Sequence, residues 1–151
     1  MRIKGSLLLA ATALFVAMIV PGIASAHGTH VKAKMSGDQV VGVAGAPNGS
    51  GTAKLHLLRN KSRVCFTVKY TGIGSRKGLD VSVYKGKRSE NGALQFTLVD
   101  EDLKTPIRDC VDGIQKQTLK KITRSPRRYN VDVKTDKYPT DGAIRGQLKA
   151  V

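Results

Sequence analysis

From Val31 to the C-terminus the chain is written in short runs that alternate apolar and polar residues. Alternation with period two sets one face of an extended strand against a core and leaves the other in water. Val31, Ala33 and Met35 against Lys32 and Lys34 mark a first strand. Asp38–Ala44 reads as another, with Ser36-Gly37 as the break between them, and Ala53, Leu55 and Leu57 against Lys54 and His56 mark a third. Arg63–Thr71 is the most regular run, with Val64, Phe66, Val68 and Tyr70 on one face. Leu79–Tyr84 and Ala93–Val99 follow, the latter with Leu94, Phe96 and Leu98 predicted inward. Two last runs flank Tyr138-Pro139-Thr140-Asp141-Gly142 within Tyr129–Val151. Proline fixes φ and glycine permits positive φ, so this is a tight connection and the segment a hairpin closing the domain.

One segment breaks the pattern. In Asp109–Arg124, Ile114, Leu119 and Ile122 are spaced as one face of a short helix, which Pro126 ends. Its lysines and arginine would point to water, and it has too few apolar residues to dock on a membrane. Short strands with turn signals about every ten residues predict an all-β fold. The expected architecture is an antiparallel Greek-key β-sandwich of about eight strands with one short helix near 113–124.

The first 26 residues belong to a different class. Arg2 and Lys4, an apolar run from Leu7 to Val20 and the exit Ala24-Ser25-Ala26 describe a secretory signal peptide. The apolar run is shorter than the roughly 20 residues of a membrane span. Cleavage after Ala26 would leave one domain, 27–151, secreted or held at the cell envelope with no transmembrane segment.

The chain carries 26 Lys and Arg against 11 Asp and Glu, a formal charge of +15, spread along its length. A soluble cationic surface is the plain reading, and attraction to an anionic cell-envelope polymer or protein is the functional one. Single-stranded nucleic acid would call for aromatic residues among the charges. Aromatics are only 5% of the chain, so no specific nucleic-acid partner is expected.

Cys65 and Cys110 are the only cysteines. In an exported chain two cysteines pair, closing a loop of about 45 residues worth ~3–4 kcal/mol in the chain-entropy model. The competing reading, a reactive thiol, lacks a C-x-x-C pair or a neighbouring histidine. A mature chain starting at His27 would offer an α-amine and an imidazole on one residue. With His30 or His56 supplying another imidazole, that set could chelate Cu²⁺; flexible histidines are the alternative, and no other cofactor is expected. Asp100-Glu101-Asp102 lacks the spaced ligands of a calcium loop. No G-x-S-x-G, HExxH or phosphate-cradling glycine loop occurs, so no enzyme is predicted.

The C-terminal run resembles the end of the CHRD domain, a module named from chordin and widespread in bacterial secreted proteins. That family ends in a pattern close to aromatic-V-N-V-H-T, a proline, then G-[EA]-I-R-G-Q-[LI]. Here Tyr129-Asn130-Val131-Asp132-Val133-Lys134-Thr135 is followed by Pro139 and by Gly142-Ala143-Ile144-Arg145-Gly146-Gln147-Leu148. The family's H-I-H-x-G segment is matched by Ser82-Val83-Tyr84-Lys85-Gly86, with Asn91-Gly92 shortly after. The resemblance implies the fold and a non-enzymatic binding or structural role, the animal members being linked to growth-factor binding. It also implies that Ser82, Tyr84 and Lys134 stand where relatives carry histidine, and none of the three replaces neutral imidazole toward Zn²⁺ or Cu²⁺. Arg145 falls on the outward phase of its strand, where its fork could hold a carboxylate or loop carbonyls.

Overall fold

The computed structural model describes residues 28–151. The expected signal peptide, its cleavage site and His27 lie outside the described residues. Among the described residues nine strands form one antiparallel sheet: β1 (Thr29–Ser36), β2 (Ser50–Leu58), β3 (Arg63–Thr71), β4 (Asp80–Lys85), β5 (Ala93–Val99), β6 (Ile107–Val111), β7 (Tyr129–Lys134), β8 (Ile144–Gln147) and the two-residue β9 (Lys149–Ala150). The one α-helix among the described residues, α1 (Lys116–Arg124), lies between β6 and β7. The order across the sheet is β5-β4-β7-β8-β1-β2-β3-β6, with β9 also paired to β1.

The sheet is all-β and curls into a nearly closed, barrel-like sandwich. Two connections, 72–79 and 100–106, carry the chain between its opposite ends. Side chains fasten this crossing. Tyr70 donates its hydroxyl to the Leu103 carbonyl and its N–H to Thr105 Oγ1 (3.1 Å), and the Leu79 N–H reaches Asp102 Oδ1 (3.2 Å). The acidic run at 100–102 is exposed, but Asp102 thereby satisfies a backbone donor at the start of β4.

The alternating residues fill the interior as their period requires. Val31, Ala33, Ala53, Leu55, Leu57, Val64, Val68, Val81, Val83, Val131, Val133 and Ile144 are all fully buried. On α1, Leu119 and Ile122 are buried completely, each worth about 1.5–3 kcal/mol of apolar burial. The Ile114 N–H on Ser62 O (2.9 Å) sets the approach to the helix against the β2–β3 turn.

Several expectations need correction. Asp38–Ala44 is not a strand: Gly37–Gln39 forms a 3-10 turn, and the chain beyond it joins no ladder. Its backbone bonds go elsewhere, Val43 N–H to Asp141 Oδ2 and Ala46 N–H to Ala143 O, and Val43 is 68% exposed. Ile107–Val111, partly assigned to the helix by periodicity, is a strand paired with β3. Leu94 does not point inward but is 54% exposed, because the β4–β5 ladder shifts register between Val83 and Tyr84. The C-terminal hairpin does form, from β7 and β8. It sits in the middle of the sheet and joins β4 to β1.

Candidate functional site: a buried polar row under a loop

Register assembles the site. Across the sheet, Thr97 of β5 faces Ser82 of β4, Ser82 faces Asp132 of β7, Asp132 faces Arg145 of β8, and Arg145 faces Ser36 of β1. Residues opposite one another in a ladder share a face, so these five form one row on the outer side of the sheet. A second row runs Tyr84–Asn130–Gln147. Outer faces of such strands ordinarily meet water, yet Ser82, Asn130, Asp132 and Arg145 are all at most 6% exposed.

The cover is the β4–β5 connection, held down by Arg145 and Gln147. The Arg145 guanidinium donates to Asn91 Oδ1 (2.9 Å), to Lys87 O (3.1 Å) and to Glu90 O. Gln147 Nε2 contacts the carbonyls of Gly86 (2.8 Å), Arg127 (2.9 Å) and Tyr129 (2.8 Å). It thus ties the connection to the 3-10 turn Pro126–Arg128. Asn91 extends the hold through its amide to Val41 O (3.1 Å) and Asp141 Oδ1 (3.3 Å). The run Ile144–Leu148 can therefore be read atom by atom: Ile144 and Leu148 fill the core while Arg145 and Gln147 pin loop carbonyls. Gly146 lets β1 come close, since a Cβ there would sit 2.3 Å from the Lys34 carbonyl oxygen.

Electrostatically the row is uneven. Arg145 has three acceptors besides its ion pair with Asp132, in which Nε and Oδ1 are 3.6 Å apart. Asp132 Oδ1 has no hydrogen-bond donor. Burial pushes the Asp132 carboxyl up to about 6, against the pull of Arg145 and Lys134, with Asp141 and Asp80 adding to the rise. The guanidinium is thus well solvated by dipoles, whereas the carboxylate depends on the guanidinium.

The positions where the family resemblance implies histidine lie together on β4 and β7. Ser82 Oγ is 2.8 Å from Asp80 Oδ1 and 3.0 Å from Thr97 Oγ1. The Lys134 ammonium stands 5.1 Å from the centre of the Tyr84 ring, a cation–π contact. This corner packs as hydroxyl, phenol and ammonium, without an imidazole.

The remaining candidates sit elsewhere. His30 and His56 face each other across β1 and β2, their ring centroids 4.1 Å apart. Burial first, and then the neighbouring His30, lowers the His56 pKa. Among the described residues no three His, Cys, Asp or Glu side chains converge as metal ligands. Cys65 and Cys110 form a disulfide that joins β3 to β6, as a chain in an oxidising compartment would.

Sequence reasoning missed Asn91, Asn130, Asp132 and Gln147. The available signal was polar residues at alternate positions of β7 between valines that are themselves fully buried. The CHRD domain family model matches residues 31–148. The chain matches no curated protein and no solved structure. Because the family match spans residues 31–148, most of the sequence, this chain belongs to the CHRD domain family.

Proposed function

We propose that this is a secreted, non-enzymatic CHRD protein that serves as a binding or structural module at the cell envelope, engaging an anionic partner through its cationic surface. The observation that carries the reading is where the charge lies. Among the described residues Arg145 is the only lysine or arginine that is buried, so nearly the whole cationic excess faces outward. A field of one sign raises the local concentration of oppositely charged partners and speeds their encounter. The polar row argues against catalysis: Ser82 is fully buried, so its hydroxyl, which donates to Asp80 Oδ1 within the sheet, is closed to a substrate. The disulfide and the family are compatible with an extracytoplasmic location. The test is retention of the full mature chain on immobilised polyphosphate and on an uncharged matrix. Retention on the charged matrix alone, released by salt, is expected. Equal retention on both matrices, or none on either at low salt, would overturn the reading.

A second reading is copper binding, favoured by the proximity of His30 and His56. Two imidazoles on adjacent strands, joined by an N-terminal His27, would supply nitrogen donors suited to Cu²⁺. Mass spectrometry of the mature N-terminus, followed by Cu²⁺ titration of wild type and His56→Ala, checks it. A mature chain starting elsewhere, or identical titrations, would remove it.

A further inference from the structure

The same outward-facing connection that covers the polar row also builds one wall of an open cleft. Register explains its floor. Lys32 of β1 pairs with Lys149 of β9, and Ser36 pairs with Arg145 in the same antiparallel phase. The positions between them, Lys34 and Gln147, therefore meet on the outer face. Lys87 and Arg88 rise on one side from the β4–β5 connection, and Arg127 rises on the other from the 3-10 turn. Gln147 fixes both walls, because its amide holds the carbonyls of Gly86 and Arg127. The cleft has a volume of about 530 Å³ and is lined by Lys34, Lys87, Arg88, Arg127 and Lys149 with no acidic residue.

No ion pair among the described residues neutralises these cations. Among the described residues the ion pairs are Arg63–Asp112, Lys77–Asp136 and Arg145–Asp132, and none involves a cleft residue. The nearest acid along the loop, Glu90, turns its carboxylate to the Lys87 backbone N–H (3.2 Å). Five like charges converging on one concavity from four separate segments oppose folding through mutual repulsion. An anion seated among them would relieve that repulsion. All five side chains are exposed, so they can reach a ligand without a change of fold.

We propose that this cleft binds the phosphate groups of an anionic polymer. The proposal rests on the reading above and gives it a place and a chemistry. Two arginine forks and three lysine ammoniums suit closely spaced phosphates, the forks through paired hydrogen bonds and the lysines as point charges. The lining also says what the ligand is not. No aromatic ring is present for bases to stack on, which disfavours single-stranded nucleic acid. The one apolar lining residue, Leu148, is fully buried, so nothing projects that could enter a bilayer.

Inorganic polyphosphate is the probe, titrated against the full mature chain at several salt concentrations. One variant carries Lys87→Gln, Arg88→Gln and Arg127→Gln. A control with the same change of charge carries Lys116→Gln, Lys121→Gln and Arg124→Gln, all exposed on α1. Both keep the backbone carbonyls that Arg145 and Gln147 use. The cleft variant is expected to bind at least about tenfold more weakly, with a salt slope smaller by about three, while the α1 variant stays near wild type. Equal weakening of the two variants would overturn the cleft and leave the cationic-surface reading standing. Absence of wild-type binding at low salt would overturn both. Tighter binding to phosphatidylglycerol vesicles than to polyphosphate would overturn the polymer assignment.

Discussion

Replacing Arg145 with methionine keeps most of the side chain's length and removes its charge and all its donors. In the folded protein this strands two kinds of partner. Lys87 O, Glu90 O and Asn91 Oδ1 lose a charged donor, and Asp132 loses the one cation that faces it across the ladder. Loop carbonyls near the surface can recover water, so their loss is modest. Asp132 cannot recover so easily: it is 6% exposed and its Oδ1 already lacks a donor. Breaking a buried pair by removing one member costs up to about 3–5 kcal/mol, but a carboxyl already at about 6 can take up a proton instead. Arg145→Met should therefore lose about 2–3 kcal/mol at neutral pH in urea unfolding followed by circular dichroism. The loss should shrink in acid, where Asp132 is protonated and no longer needs the guanidinium. Hydrogen exchange should show residues 86–92 losing protection first. A variant within about 1 kcal/mol of wild type at neutral pH, with those amides still protected, would refute the clamp.

The asymmetry of the row makes the opposite prediction for its partner. With Asp132 raised to about 6 in the fold from 3.8, the native state holds the extra proton between those values. The associated stability is complete below about pH 4 and is lost as pH rises through about 6, a swing of about 3 kcal/mol. Asp132→Asn should remove that swing from pH-dependent unfolding curves and cost little at neutral pH, since Arg145 retains three acceptors; an unchanged pH profile would contradict this. Gly146→Ala, which sets a methyl against the Lys34 carbonyl, should lower stability by about 1–3 kcal/mol in the same assay, and a neutral result would show that β1 and β8 can move apart.

Much of the fold was legible because one face of most strands is apolar without interruption. Val64, Phe66 and Val68 announce both the strand and its phase, and hydrophobic burial makes them keep it. What escaped is where tertiary cover overrides the pattern. Asn130 and Asp132 look like solvent-facing positions of an ordinary strand, yet Asn130 donates to the Gly86 carbonyl of the loop and Asp132 pairs with Arg145, and both are buried. Leu94 fails for the reverse reason, a register shift that no period of two contains. Val40, Val41 and Val43 look like a strand yet join no ladder, since Val43 N–H bonds to Asp141, Val41 O accepts from Asn91 and Val40 N–H turns back to Gly37 O. Of the site, Arg145 stood out through the family motif. Gln147, Asn91 and Asp132 required the ladder register to be known, and the basic cleft required four segments distant in sequence to be brought together.

The most direct test of the central claim, an anionic partner held by charge, is the affinity of the mature chain for polyphosphate as a function of salt. With about five cations engaged, binding should weaken by roughly 100-fold or more between about 50 and about 200 mM salt, linearly on logarithmic axes. An affinity that does not change over that range would contradict the account.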